Sequence, residues 1–153
     1  MMDRDAALLE LEPMASRLEA WLGACAPDRL RLRPTPTDFA PVEHLWHLAD
    51  LEVEAYGVRL RRLRDESHPQ LPDFAGDAEA QARHYLAKDP FEALRRFREA
   101  RAANLAAFDA LTESQWDHSG EQEGVGRVTL MELPARMAAH DLDHWSALRL
   151  ALL

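Results

Sequence analysis

The sequence predicts an all-α protein, a four-helix bundle with one extra short helix in the crossover region. Three observations predict it. Apolar residues recur at helical spacing in four long segments, proline- and glycine-bearing stretches separate them, and no run alternates well enough to form a core strand. At 153 residues the chain suits a single domain over residues 1–153, large enough to bury a core of its own.

The first helix is expected from about Asp3 to Cys25, where Leu8, Leu11, Leu18 and Leu22 recur with Met14 and Trp21 beside them. Pro27, Pro34, Pro36 and Pro41 then mark a linker. The second helix starts near Pro41, with Glu43 placed to suit a positive helix N-terminus, although Ala40 is a poor cap. Its apolar set runs Val42, Leu45, Trp46, Ala49, Val53, Tyr56, Leu60, Leu63, as far as about Arg64. Ser67 to Gly76 reads as a loop, and Asp77 to Lys88 as a short helix. Asp89-Pro90-Phe91-Glu92 is a start signal, and the third helix should bury Phe91, Leu94, Phe97, Leu105 and Phe108. Trp116 to Arg127 is polar and expected to be irregular. Thr129-Leu130-Met131-Glu132 has the pattern of a capping box opening the last helix, with a kink or loose turn before Pro134.

Composition excludes several function classes. A net charge of −9 argues against a phosphate-binding surface, so no nucleic-acid partner is expected. Cys25 is the single cysteine, which rules out an internal disulfide and fits a reducing compartment. It reads as a small buried side chain near a helix end rather than a nucleophile. No stretch is long and apolar enough to span a bilayer, so no membrane partner is expected. Met1-Met2-Asp3-Arg4-Asp5 lacks the pattern of a signal peptide, and the expected location is cytoplasmic.

Chemistry concentrates in His140-Asp141-Leu142-Asp143-His144. Residues four apart on a helix share a face, so both imidazoles can converge on one point. At about 100° per residue, Leu133, Met137, His140, His144, Ala147, Leu148 and Ala151 fall in one apolar sector. Buried imidazoles need a hydrogen bond or a metal, and a shared ion satisfies both. Two core histidines with separate partners, or one core and one surface residue, fit the same spacing.

His47 supplies a third candidate, on the border of the second helix's apolar stripe. Glu43, His47, Asp50 and Glu54 share one face there. Glu43 or Asp50 could orient a ligand or handle a proton. The alternative is that Glu43, Asp50 and Glu54 form a solvated stripe paired with arginines such as Arg61 or Arg62, which fits Asp50 and Glu54 at least as well. His44 points about 60° further round and is the weaker ligand candidate. His68, His84 and His118 read as surface residues, and Arg95, Arg96, Arg98 and Arg101 as a solvated face. The zincin signature is absent, since Asp141 stands where that motif needs Glu, and Asp141 should point off the stripe. Three neutral histidines with an open position describe a catalytic divalent site: zinc or nickel first, with iron or manganese also compatible.

Phe39-Ala40-Pro41-Val42-Glu43-His44-Leu45-Trp46-His47-Leu48-Ala49-Asp50 resembles the second-helix motif of the DinB/YfiT-like superfamily. Val128-Thr129-Leu130-Met131-Glu132-Leu133 and His140-Asp141-Leu142-Asp143-His144 resemble its last-helix motif, and Arg101-Ala102-Ala103-Asn104-Leu105 and Leu111-Thr112-Glu113-Ser114-Gln115-Trp116 also look like the family. The resemblance implies an up-down-down-up bundle, a homodimer, and a divalent metal on His47, His140 and His144. It also implies a metal-dependent hydrolase or a low-molecular-weight-thiol S-transferase acting on a small-molecule substrate. Pro134 departs from the family pattern. The chain reaches only Leu153, without the C-terminal domain of the mycothiol-dependent members, which points away from that branch. The alternative is a non-catalytic, stress-related bundle that binds a metal or a small molecule.

Overall fold

Each long stretch of apolar periodicity forms a helical rod in the computed structural model, which describes residues 2–152. The first rod is two helices, α1 (Arg4–Leu11) and α2 (Met14–Ala24). Asp3 caps α1 by accepting the Ala6 N–H at 2.9 Å. The single helix expected over Asp3 to Cys25 is interrupted at Pro13, which lacks an N–H and crowds the preceding turn. At this break the Leu11 carbonyl accepts a hydrogen bond from Arg101 Nη1 at 2.9 Å.

The second rod joins α3 (Pro41–Leu51), a π-helical turn (Glu52–Tyr56) and α4 (Gly57–Asp65). Ala40 offers no capping side chain, and Glu43 compensates by accepting the Ala40 N–H at 2.9 Å. In the wider π turn the Glu52 carbonyl takes the Gly57 N–H and also Asn104 Nδ2, the latter at 3.0 Å. A Cβ on residue 57 would stand 3.1 Å from Asn104 Oδ1, so glycine permits that close approach.

A short helix, α5 (Gly76–Ala82), lies in the crossover and packs on α3. The third rod, α6 (Pro90–Asp109), starts where the sequence signals it, with Asp89 accepting the Phe91 N–H at 2.9 Å. Phe91 itself is 64% exposed, because Pro90 and Ala93 take the inward positions of the first turn. The fourth rod, α7 (Leu133–Leu150), starts later than the capping-box pattern implies. Thr129 ends a strand instead, and its Oγ1 accepts the Glu132 N–H at 3.2 Å. Pro134 therefore falls in the first helical turn, where a missing N–H costs nothing; of the two expected outcomes the loose turn before Pro134 is the one that forms, over 130–132, and the kink is not needed.

The all-α expectation needs one addition. A small sheet is built from β1 (Gln70–Leu71), β2 (Ser119–Gln122) and β3 (Gly126–Thr129). β1 runs parallel to β2, and β2 pairs antiparallel with β3, Ser119 opposite Thr129. The segment expected to be irregular thus forms a hairpin, turned by Gly124 at φ +79° and Gly126 at φ +100°.

α1 packs on α7, α2 on α6 and α7, and α3 on the same two helices. Two apolar clusters fill the interior. One centres on Leu60, Leu63, Phe108, Trp116, Leu130 and Met137, the other on Leu18, Trp21, Leu45, Leu48, Phe97 and Leu148. Along α3–α4, α6 and α7 the residues between the clusters are polar: His47 and Glu52, then Arg101 and Asn104, then His140, Asp141 and His144. Among the described residues, no helix is long and apolar enough to cross a membrane.

Candidate metal centre

His47 on α3 and the His140/His144 pair on α7 meet in this polar layer. His140 Nε2 lies 3.1 Å from His47 Nε2 and 3.1 Å from His144 Nε2. One ligand atom from each residue lies within 4.8 Å of the others. Burial, reinforced by neighbouring imidazoles, lowers the pKa of His140 to about 3 and of His144 to about 2. Burial lowers that of His47 as well. All three rings are therefore neutral at pH 7, with lone pairs free to bind a cation. Among the described residues, the enclosed Nδ1 atoms of His47 and His140 have no hydrogen-bond partner. Three neutral imidazole nitrogens turned towards one another form a donor set that fits a divalent transition metal.

The surroundings hold the rings in place. His44 sits beside the cluster, its Nδ1 2.7 Å from His144 Nδ1. That closeness was not expected from its position off the apolar stripe. Phe39 packs against His44, His47 and His144 at ring separations of 5.4, 5.6 and 6.5 Å. Phe74 lies 6.3 Å from His47 on another side. Gly76 leaves room for the His47 ring, since a Cβ there would fall 2.7 Å from His47 Cε1. A cavity of about 760 Å3 is lined by Leu32, Phe39, His44, Ala147 and Leu150. A second, of about 710 Å3, touches His140 and Tyr56. Both lie in the size range of small-molecule sites.

Glu43 and Asp50, the carboxylates expected to orient a ligand or move a proton, are engaged elsewhere. Glu43 accepts two hydrogen bonds from Arg33, at 2.8 and 2.9 Å, besides its cap on Ala40. Asp50 accepts from Arg96 Nε at 2.8 Å, from Arg83 Nη1 at 3.0 Å and from the Tyr85 hydroxyl. Its charge reaches His47 only at a distance. Both carboxylates fix the helix that carries His47. The face they share is neither a solvated stripe paired with Arg61 and Arg62 nor a set of groups touching the cluster. His68 and His84 are exposed as expected, whereas half-buried His118 lies 2.9 Å from the Leu63 carbonyl near the end of α4.

Two residues read as peripheral in the sequence are central in the fold. Arg101, assigned to a solvated face, is 2% exposed. It donates to both carboxylate oxygens of Glu52 at 2.9 Å, and to Asp141 at 2.8 and 2.9 Å. Asp141, expected to point off the stripe, is buried in this bridge and locks the turn of α7 that holds His140. The available signal was the stripe of α6 itself, since Phe97, Arg101, Asn104 and Phe108 follow one another at spacings of four, three and four.

A family model covers most of this arrangement: the model of the DinB superfamily matches residues 10–148. The chain belongs to the DinB superfamily. Solved structures share the fold of this DinB-superfamily chain. YfiT from Bacillus subtilis, described as a probable metal-dependent hydrolase with an unusual four-helix bundle topology, matches with a TM-score of 0.88 and 17% identity, over 97% of this chain and 85% of its own. The mycothiol-dependent maleylpyruvate isomerase matches with a TM-score of 0.74 and 11% identity, over 96% of this chain but 61% of its own. TT2238, described as a four-helix bundle protein, matches with a TM-score of 0.69 and 23% identity, over 95% of this chain and 97% of its own. At such identities the likeness shows the bundle fold alone. No curated protein sequence matches the chain.

Proposed function

We propose that this DinB-superfamily protein is a metal-dependent enzyme, a hydrolase or a low-molecular-weight-thiol S-transferase, with a divalent ion held by His47, His140 and His144. The observation that carries the reading is the convergence of three neutral Nε2 atoms from two helices beside ligand-sized cavities. The likeness to a probable metal-dependent hydrolase and to a mycothiol-dependent isomerase supports the same reading. When bound, such an ion supplies Lewis acidity to a water or a thiol at neutral pH.

The chain's own residues set the site around it. His44 turns His144 so that its Nε2 faces the cluster. Phe39 and Phe74 wall the imidazoles with apolar surface, which excludes water from their flanks. Glu43 and Asp50 act through the helix that bears His47, not by touching a substrate.

Elemental analysis of protein purified without a histidine tag tests the reading. One divalent ion per chain is expected, lost on His140→Ala and absent from the His47, His140 and His144 triple alanine variant. Full occupancy in the triple variant would sink it. A transfer screen with glutathione, bacillithiol and mycothiol then separates transferase from hydrolase.

A further inference from the structure

Tyr56 is a tyrosine only 8% exposed, and among the described residues its hydroxyl has no hydrogen-bond partner. A buried tyrosine ordinarily finds one, because a stranded hydroxyl costs free energy. Tyr85, the other tyrosine of the chain, follows that rule: it is fully buried and donates its hydroxyl to Asp50. The Tyr56 hydroxyl is also not sealed in. Unlike the Nδ1 atoms of His47 and His140, it keeps access to open space, and Tyr56 lines the cavity of about 710 Å3.

That cavity adjoins the metal centre. His140 lines it too, and the Tyr56 and His140 rings stand edge to face with centroids 5.9 Å apart. Tyr56 closes the π turn Glu52–Tyr56, a widening of the helix that is frequent at functional sites. Burial, aided by the Asp141 and Glu52 carboxylates and opposed by Arg59, raises the Tyr56 pKa above the ordinary tyrosine value. The phenol therefore keeps its proton and offers it as a donor. The charges around the cavity balance. Arg17 and Arg136 face Glu10 and Asp143, and Asp141 is paired with Arg101. No excess charge favours an ion there, so the acceptor that suits the hydroxyl is a neutral oxygen.

We propose that the Tyr56 hydroxyl donates a hydrogen bond to a carbonyl oxygen of the substrate, so that the site takes small molecules with an ester, amide or thioester carbonyl beside a metal-binding group. The proposal rests on the metal-site reading above. Tyr56 holds the carbonyl, while His47, His140 and His144 hold the ion.

The test uses cobalt-loaded protein and its Tyr56→Phe variant, which keeps the ring and loses only the hydroxyl. Each is titrated with mercaptoacetamide, 3-mercaptopropionamide and 4-mercaptobutyramide, and with the alkanethiols of the same shape that lack the carbonyl, following the thiolate-to-cobalt absorption band. For at least one chain length, the ratio of amide to alkanethiol affinity should fall about three- to tenfold in the variant, the range of a neutral hydrogen bond. Ratios unchanged at all three lengths overturn the proposal. Missing cobalt bands in wild type would instead overturn the metal reading.

Two measurements on metal-free protein test the hydroxyl without the ion. With tyrosine labelled with 13C at Cζ, propionamide should move the signal that is absent from Tyr56→Phe and leave the Tyr85 signal in place. A still Tyr56 signal, or equal movement of both, overturns the proposal. Tyr56→Phe should also melt at or above the wild-type temperature, since it removes an unpartnered hydroxyl. A lower melting temperature would mean that the hydroxyl is bonded within the fold, and would overturn the proposal as well.

Discussion

His144 faces two histidines with its two nitrogens: Nδ1 lies 2.7 Å from His44 Nδ1, and Nε2 lies 3.1 Å from His140 Nε2. A contact that short between two ring nitrogens needs one proton between them. Burial, helped by His47, lowers the His44 pKa to about 4, so His44 is a neutral partner. With the proton on His144 Nδ1 donated to His44, the Nε2 lone pair of His144 is left for the cluster. A metal-bound histidine commonly has its second nitrogen oriented this way, by a carboxylate, a carbonyl or a water. Beside His144 an imidazole, that of His44, stands where such a group would.

Removing this partner should loosen the site without dismantling it. His44→Leu is expected to bind metal with the same stoichiometry but about 10–100-fold more weakly, the usual cost of losing a group that orients a ligand. His44→Gln, which can still accept the proton, should recover part of the loss. Competition against a chromophoric chelator measures both. Affinity unchanged in His44→Leu would mean that His44 is packing alone.

Gly76→Ala tests how tightly His47 is seated. The added Cβ would stand 2.7 Å from His47 Cε1 and 3.0 Å from its Nδ1, closer than packed atoms approach. Either α5 shifts or the ring turns. We expect a stability loss of about 1–3 kcal/mol, as for other overpacked sites, together with weaker metal binding. Urea unfolding and metal titration on the same variant report the two effects. Wild-type behaviour in both would show that the crossover helix yields freely.

Much of this centre was legible in the sequence, because its ligand candidates follow helical rules. His140 and His144 are four apart on an apolar stripe, and His47 borders another such stripe. What stayed hidden depends on breaks in those rules. The π turn at Glu52–Tyr56 adds a residue to one turn, so a strict 3.6-residue count along the second rod does not hold through it. Pairing across rods hid the rest: Arg101 reads as solvated until Glu52 and Asp141 are seen opposite it. The sheet escaped because its strands are short and polar, with Leu71, Gly120 and Val128 as their buried residues.

The neutral cluster gives the metal-free protein a defined acid response. In the unfolded chain each histidine takes up a proton near pH 6.5. Folded, burial delays uptake to about 4 for His44, about 3 for His140 and about 2 for His144. Between those limits the unfolded state binds more protons, so stability falls as pH falls. The contribution is complete above pH 6.5 and declines towards the folded-state values. Urea midpoints in the presence of chelator should be level from pH 8 to pH 7 and drop from pH 6.5 to pH 4. A His44→Gln/His140→Gln variant should show a shallower slope, and an equal slope would place the response elsewhere.

The Arg101 bridge predicts a difference between removing one charge and removing all. Burial works against the Arg101 charge, but the Glu52 and Asp141 carboxylates outweigh it and raise its pKa above the ordinary value. Arg101→Met would leave both carboxylates buried without a counter-ion, 1% and 5% exposed. A loss of about 3–5 kcal/mol is expected in urea unfolding, the range for a broken buried pair. The loss should be carried by the stranded carboxylates and not by missing packing, since methionine fills much of the same volume. A triple variant with Arg101→Met, Glu52→Gln and Asp141→Asn removes the stranded charges and should regain most of the stability. Metal affinity should follow, because Asp141 adjoins His140 and its bridge fixes that turn of α7. If the triple variant is as unstable as Arg101→Met alone, the bridge holds the bundle through shape and the hydrogen bond to Leu11 rather than through charge.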